Sequence, residues 1–145
     1  MRAIKLFVIA LSLTWLSQAH AGTILITEQE ASLPTKPNIT FDQRGITRAP
    51  RIEFVQGGKA AYSPMRFQLK FLPSGGTNID LNSLRATYLK MPEIDISPRL
   101  ARFASPSGID IPDAEAPPGE HFIQIQIGDS EGRVRTSVFS LKVAP

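Results

Sequence analysis

Residues 117–143 read PPGEHFIQIQIGDSEGRVRTSVFSLKV, and this stretch decides the fold class. Ile123, Ile125 and Ile127 alternate with Gln124 and Gln126. Successive side chains of a strand point to opposite faces, so this spacing predicts a strand with one buried face. Asp129-Ser130-Glu131-Gly132 then reads as a turn. An aspartate there accepts hydrogen bonds from its own backbone two residues on, and glycine accepts a positive φ. Phe139, Leu141 and Val143 repeat the inward pattern on the way back. The whole stretch is predicted to be a β-hairpin with one face in a core.

The same period of two extends upstream. Ile52 and Phe54 alternate with Arg51 and Glu53 before Gly57-Gly58 breaks the run. Phe67, Leu69 and Phe71 alternate with Arg66, Gln68 and Lys70, and Pro73-Ser74-Gly75-Gly76 ends that strand. Leu84, Ala86 and Tyr88 alternate with Arg85 and Thr87. Between Ile94 and Ile111 the pattern is short and punctuated by Pro98, Pro106 and Gly108, with one or two short strands expected at residues 100–103 and 109–111. No region carries a long helical period. Six or seven short strands with regularly spaced turns predict an all-β chain, an antiparallel sandwich over residues 51–145. Phe67, Leu69, Phe71, Ile123, Ile125, Phe139 and Leu141 are its expected core, between sheets packed roughly 10 Å apart.

The first 50 residues follow different rules. Arg2 and Lys5 precede an apolar run from Leu6 to Leu16, and Ala19-His20-Ala21 has the small-x-small pattern that a signal peptidase reads. Residues 1–21 are therefore expected to be a signal peptide cleaved at Ala19/Ala21. The run falls short of the roughly 20 residues that span a bilayer, so no membrane span is expected after its removal. This predicts an exported chain, placed in the periplasm or secreted beyond it. Residues 22–50 are expected to be a short irregular extension. Within it Ile24-Leu25-Ile26 suits a short edge strand. Thr27-Glu28-Gln29-Glu30 matches a capping box, for one or two helical turns that Pro34 ends. Pro37, Gly45 and Pro50 keep the remainder irregular.

Composition narrows function by exclusion. Removal of Arg2 and Lys5 leaves 14 basic against 13 acidic residues, a net charge of +1. Such a balance supplies no electrostatic footprint for nucleic acid. The absence of cysteine removes disulfides, thiol nucleophiles and zinc–thiolate sites. Trp15 and His20 leave with the signal, so His121 is the one histidine of the exported chain.

Three short motifs carry a resemblance: Ile79-Asp80-Leu81-Asn82-Ser83-Leu84, Pro117-Pro118-Gly119-Glu120-His121, and Asp129-Ser130-Glu131-Gly132-Arg133. Residues 75–143 resemble the bacterial immunoglobulin-like domains of exported proteins. In those domains an Ile-Asp-x-x-Ser-Leu strand start, a Pro-x-Gly-x-His entry and an Asp-x-x-Gly turn occur in this order. The resemblance implies an immunoglobulin-like β-sandwich. It implies no activity, because such domains serve as spacers, adhesion modules and accessory domains.

Four groups of side chains are candidates for chemistry. His121 is the candidate general base, but no Gly-x-Ser-x-Gly elbow accompanies it, and the plainer expectation is a ring bonded to a nearby backbone carbonyl. Asp110, Asp113 and Glu115, expected in one loop, together with Asp129 at another turn, are a candidate calcium site, since calcium gathers six to eight oxygens. Aspartates also suit turns without any metal. Arg44, Arg48, Arg51, Arg99, Arg102, Arg133 and Arg135 could hold an acidic glycan or lipid headgroup, yet they are spread along the chain and balanced by acids, as on a solvated surface. The exported chain has only Tyr62 and Tyr88 as stacking platforms besides phenylalanine, and Tyr88 falls on the apolar side of its strand. Asn38-Ile39-Thr40 spells a glycosylation acceptor, a match that arises often by chance. The reading that follows is a non-enzymatic, cofactor-free binding or structural module, acting on another envelope or extracellular protein through a sheet edge or loops. A calcium- or glycan-binding accessory protein and a small periplasmic hydrolase are the alternatives.

Overall fold

The structure, a computed structural model, describes residues 21–41 and 48–145. The signal segment through His20, with Ala19, lies outside the described residues, as do Arg44 and Gly45. Nine strands and two short helices follow in the order β1 (Thr23–Ile24), α1 (Glu28–Ser32), β2 (Arg51–Phe54), β3 (Met65–Leu72), β4 (Ile79–Tyr88), β5 (Ile94–Asp95), α2 (Ser97–Ala101), β6 (Ala104–Ser105), β7 (Gly108–Glu115), β8 (Gly119–Asp129) and β9 (Val134–Val143). The chain is all-β, as its period of two predicts.

The strands form two open sheets. One has the order β1-β7-β3-β2, with β6 also paired to β7; the other has the order β5-β4-β8-β9. All pairings between strands are antiparallel except that of β1 with β7, which is parallel. The predicted hairpin is the β8–β9 pair, in unbroken register from Gly119↔Val143 to Gly128↔Val134.

Both sheets contribute to one core. Phe67, Leu69, Ile109 and Ile111 come from the first, and Ala86, Tyr88, Ile123, Ile125, Ile127 and Leu141 from the second, each 1 % exposed or less. Phe139 is only partly buried. It meets Phe54 at 5.7 Å between ring centroids, and Phe54 meets Phe67 at 5.6 Å, so one ring joins the two sheets along the β2/β9 side.

Two expected elements differ. Residues 100–103 were expected as a strand, but α2 occupies 97–101. Pro98 sits in its first turn, where a missing N–H costs nothing, and Leu100 anchors it in the core at 0 % exposure. The acidic residues Asp110, Asp113 and Glu115 were expected in a loop, yet all lie on β7. The strand expected at residues 109–111 is the first half of β7, and Pro112 hides its continuation in the sequence. It stands at a bulge, where Pro112 and Asp113 oppose the single residue Arg66 between the pairs Phe67↔Ile111 and Met65↔Ala114. A bulge tolerates a residue that cannot donate to the ladder.

Residues 22–41 are tied to both sheets. Glu115 O accepts from the amides of Leu25 and Ile26, and these two side chains enter the core at 0 % and 2 % exposure. After α1 the chain crosses to the second sheet, where Lys36 N donates to Leu89 O and Met91 N to Pro34 O. Phe41 then rests edge-on against Phe122, centroids 5.9 Å apart. Among the described residues no helix is long and apolar enough to cross a membrane.

Candidate functional site

The three motifs of the resemblance are each engaged in chain geometry. In the first, β4 carries four residues, 81–84, between the pairs Asp80↔Gly128 and Arg85↔Gln126, where β8 carries one. Asp80 Oδ1 accepts from Asn82 N at 3.0 Å, and the Ser83 hydroxyl donates to Asp80 O at 2.6 Å while accepting from Gly128 N at 2.7 Å. Ser83 thus replaces the ladder bond that the bulge removes. In the third motif Asp129 Oδ1 accepts from the amides of Glu131 and Arg133, both at 3.0 Å, and Oδ2 accepts from Arg133 Nε at 2.9 Å. Gly132 supplies the positive φ of 77°. Burial would raise the Asp129 carboxyl; these bonds and the guanidinium outweigh it and hold it below the ordinary carboxylate value.

The second motif contains His121, 3 % exposed at the start of β8. Its Nε2 lies 2.7 Å from Pro117 O, and its Nδ1 lies 2.8 Å from the Tyr88 hydroxyl. A carbonyl only accepts, so Nε2 carries the proton. Nδ1 is then the acceptor for Tyr88 O–H, and the ring is a neutral Nε2–H tautomer with both nitrogens engaged. Burial pushes the imidazole below its ordinary value, against the Pro117 bond, and the Lys90 charge pushes it the same way as burial. Burial, and then the charge of Glu30, pushes the Tyr88 phenol up to about 12.

Lys90 joins this pair to α1. Its Nζ lies 5.2 Å from the centroid of the Tyr88 ring and donates to Ala31 O and Leu33 O, both at 3.0 Å, and to Thr35 Oγ1 at 3.3 Å. All three ammonium protons are used, two of them on carbonyls at the C-terminal end of a helix, where positive charge is favoured, and one on the Thr35 hydroxyl. The N-terminal end of α1 has the predicted capping box. Glu30 N donates to Thr27 Oγ1, and Thr27 N donates to Glu30 Oε2. Arg99 of α2 forks onto both Glu30 oxygens at 2.8 and 2.6 Å and donates to Leu25 O at 2.9 Å. This fork, opposed by burial, brings the Glu30 carboxyl down to about 2.

The four acids of the calcium reading do not converge. Asp110 pairs with Arg66 at 2.6 Å, Asp113 accepts from Thr23 Oγ1, Glu115 accepts from Gly22 N, and Asp129 serves its turn. Among the described residues no group of three or more His, Cys, Asp or Glu is placed to hold a metal ion. Five arginines of the candidate group, among the described residues, have separate partners. Arg99 clamps Glu30, Arg133 serves the turn, Arg51 pairs with Glu53, Arg135 donates to Pro50 O, and Arg102 lies over Phe103.

Sequence reading placed His121 at a corner bonded to a backbone carbonyl and Tyr88 in the core, and both are found so. It missed Lys90 and Glu30 as partners, because a lysine at a strand end and a glutamate in an extension carry no signal of burial until the chain folds back. A scan against protein-family models, a search of curated proteins and a search of solved structures each find no match to this chain.

Proposed function

We propose that the chain is an exported, immunoglobulin-like β-sandwich that acts in the cell envelope by binding another protein and not by catalysis. The strand order supports the architecture. Read along the first sheet, β6-β7-β3-β2 has the D-E-B-A order of an immunoglobulin sheet, and β5-β4-β8-β9 has the order C′-C-F-G. Ala61, between β2 and β3, makes an isolated parallel bridge to Val143 of β9. His121 stands where such sandwiches carry a corner tyrosine, at the start of the F strand and bonded to a carbonyl four residues upstream.

The observation that carries the non-enzymatic reading is the state of the His121–Tyr88–Lys90 cluster. Every nitrogen of His121 and Lys90 is directed at the chain's own backbone, at Tyr88 or at Thr35. A general base needs an open lone pair within reach of a substrate proton, and Nδ1, the one basic nitrogen, is occupied and buried. Binding would then fall to sheet edges or loops, which sandwiches present without chemistry. Export to the periplasm rests on the signal-like first 21 residues.

The test pairs two measurements. The purified chain is immobilised, an envelope extract is passed over it, and each retained protein is purified and assayed for direct binding. The expected result is one saturable partner and no turnover on ester, amide and glycoside substrates. Reproducible turnover that His121→Ala abolishes would overturn the proposal in favour of a hydrolase. A clear rise in thermal midpoint with calcium, reversed by chelator, would favour the accessory-protein alternative, because a ligand specific to the native state raises apparent stability.

A further inference from the structure

We propose that Lys90, Tyr88 and His121 form an acid-sensitive latch that holds the C-terminal end of α1 and residues 33–36 against the second sheet, and that proton uptake by His121 opens it. The geometry supplies the mechanism. In the closed state Tyr88 O–H donates to Nδ1, and the Nε2 proton is committed to Pro117 O. A second ring proton must go on Nδ1, where it points at the Tyr88 oxygen. The tyrosine must then turn its own hydrogen away. The residue is 0 % exposed, and its hydroxyl has no second hydrogen-bond partner among the described residues. The new positive charge also lies against the same phenol ring that packs under the Lys90 ammonium.

The groups facing His121 give it no relief. From β4 and its end come Tyr88 and Lys90; the ionised Glu30 of α1 acts on Tyr88 and is paired with Arg99 of α2. On β9 its partner is Leu141. The neighbouring ionisable groups Glu120 and Lys142 project to the opposite face, where Glu120 accepts from Ser140. Of the groups around the imidazole, Lys90 is the one with a long flexible stem that can carry its charge to water. When it leaves, Ala31 O, Leu33 O and Thr35 Oγ1 lose this donor, and the segment is left on the second sheet with the two backbone bonds of Pro34 O and Lys36 N to Met91 and Leu89.

The sign follows from linkage. A histidine held below its ordinary value favours the closed latch at neutral pH, and that preference is lost as pH falls below the free value of 6.5. Glu30, brought down to about 2, stays ionised through this range, so the Arg99 fork still holds residues 25–30. Opening is therefore confined to residues 31–36. This inference does not depend on the proposed partner.

Hydrogen exchange on the purified chain at about pH 7.5 and about pH 5, corrected for intrinsic rates, tests it. Peptides covering 31–36 should exchange about tenfold faster at the lower pH, while those covering 25–30, 123–127 and 139–143 keep their protection. His121→Gln, whose amide can bridge Pro117 O and Tyr88 without titrating, should abolish the difference. Lys90→Met should leave 31–36 fast at both pH values. Equal protection of 31–36 at both pH values in the native chain, retention of the pH response in His121→Gln, or a rise shared by the core strands would each overturn the latch.

Discussion

His121 shows how much a single side chain can hold in this fold. His121→Ala would strip the Tyr88 hydroxyl and Pro117 O of their partners in a buried site, and each orphaned group costs about 1–3 kcal/mol. Urea unfolding at neutral pH should show a loss of about 2–4 kcal/mol. Gly108 is the backbone counterpart. Its φ is 147°, and a Cβ there would stand 1.9 Å from Leu69 O. Gly75 also has a positive φ, of 62°, but nothing lies within 4 Å of the added carbon. Gly108→Ala should therefore cost about 3 kcal/mol or more, and Gly75→Ala about 1 kcal/mol, in the same urea assay. Equal losses would show that conformation, and not the close approach of β7 to β3, is what Gly108 serves. The alternation that identifies most strand residues marks neither glycine, because a close approach between strands has no local signature.

At the scale of elements, α1 is the instructive case. Five residues cannot sustain a helix alone, since nucleation is unfavourable and few bonds repay it. It forms because both ends are held, by the capping box with Arg99 at one and by Lys90 at the other. Thr27→Ala should cost about 1 kcal/mol, read from the chemical-denaturation midpoint. Arg99→Lys keeps the charge but cannot form the planar fork, so it should behave closer to Arg99→Ala than to the native chain. The fork also sets an acid response. The folded Glu30 carboxyl lies at about 2 against 4.5 when free. A depressed carboxyl contributes stability in full above its free value and loses it as pH falls toward the folded one. Denaturation midpoints should thus fall between about pH 5 and about pH 2, and Glu30→Gln should be less stable at neutral pH with a shallower decline over that window. An unchanged slope in Glu30→Gln would assign the acid response to other carboxylates. The capping box was legible as Thr27-x-x-Glu30. The clamps were not, because Arg99 and Lys90 lie 69 and 59 residues from their partners Glu30 and Ala31.

For the whole molecule, one core shared by two sheets predicts one cooperative transition. Ile125→Ala, at a site of 0 % exposure, should cost about 2–5 kcal/mol and lower the circular-dichroism and fluorescence midpoints together. Separate transitions by the two probes would mean that the sheets unfold independently. The sequence by itself determined the strand class, the buried face of β3, β4, β8 and β9 and the chemistry of the turns. These follow from a period of two and from local backbone bonds, both written over a few consecutive residues. Only the tertiary structure decided that Pro112 sits within a strand, that residues 100–101 join a helix, that residues 22–41 lace the two sheets, and that the acids scatter to separate partners. Each of those outcomes depends on which distant residue arrives opposite, and a pairing between remote segments is a property of the folded chain that no short window contains.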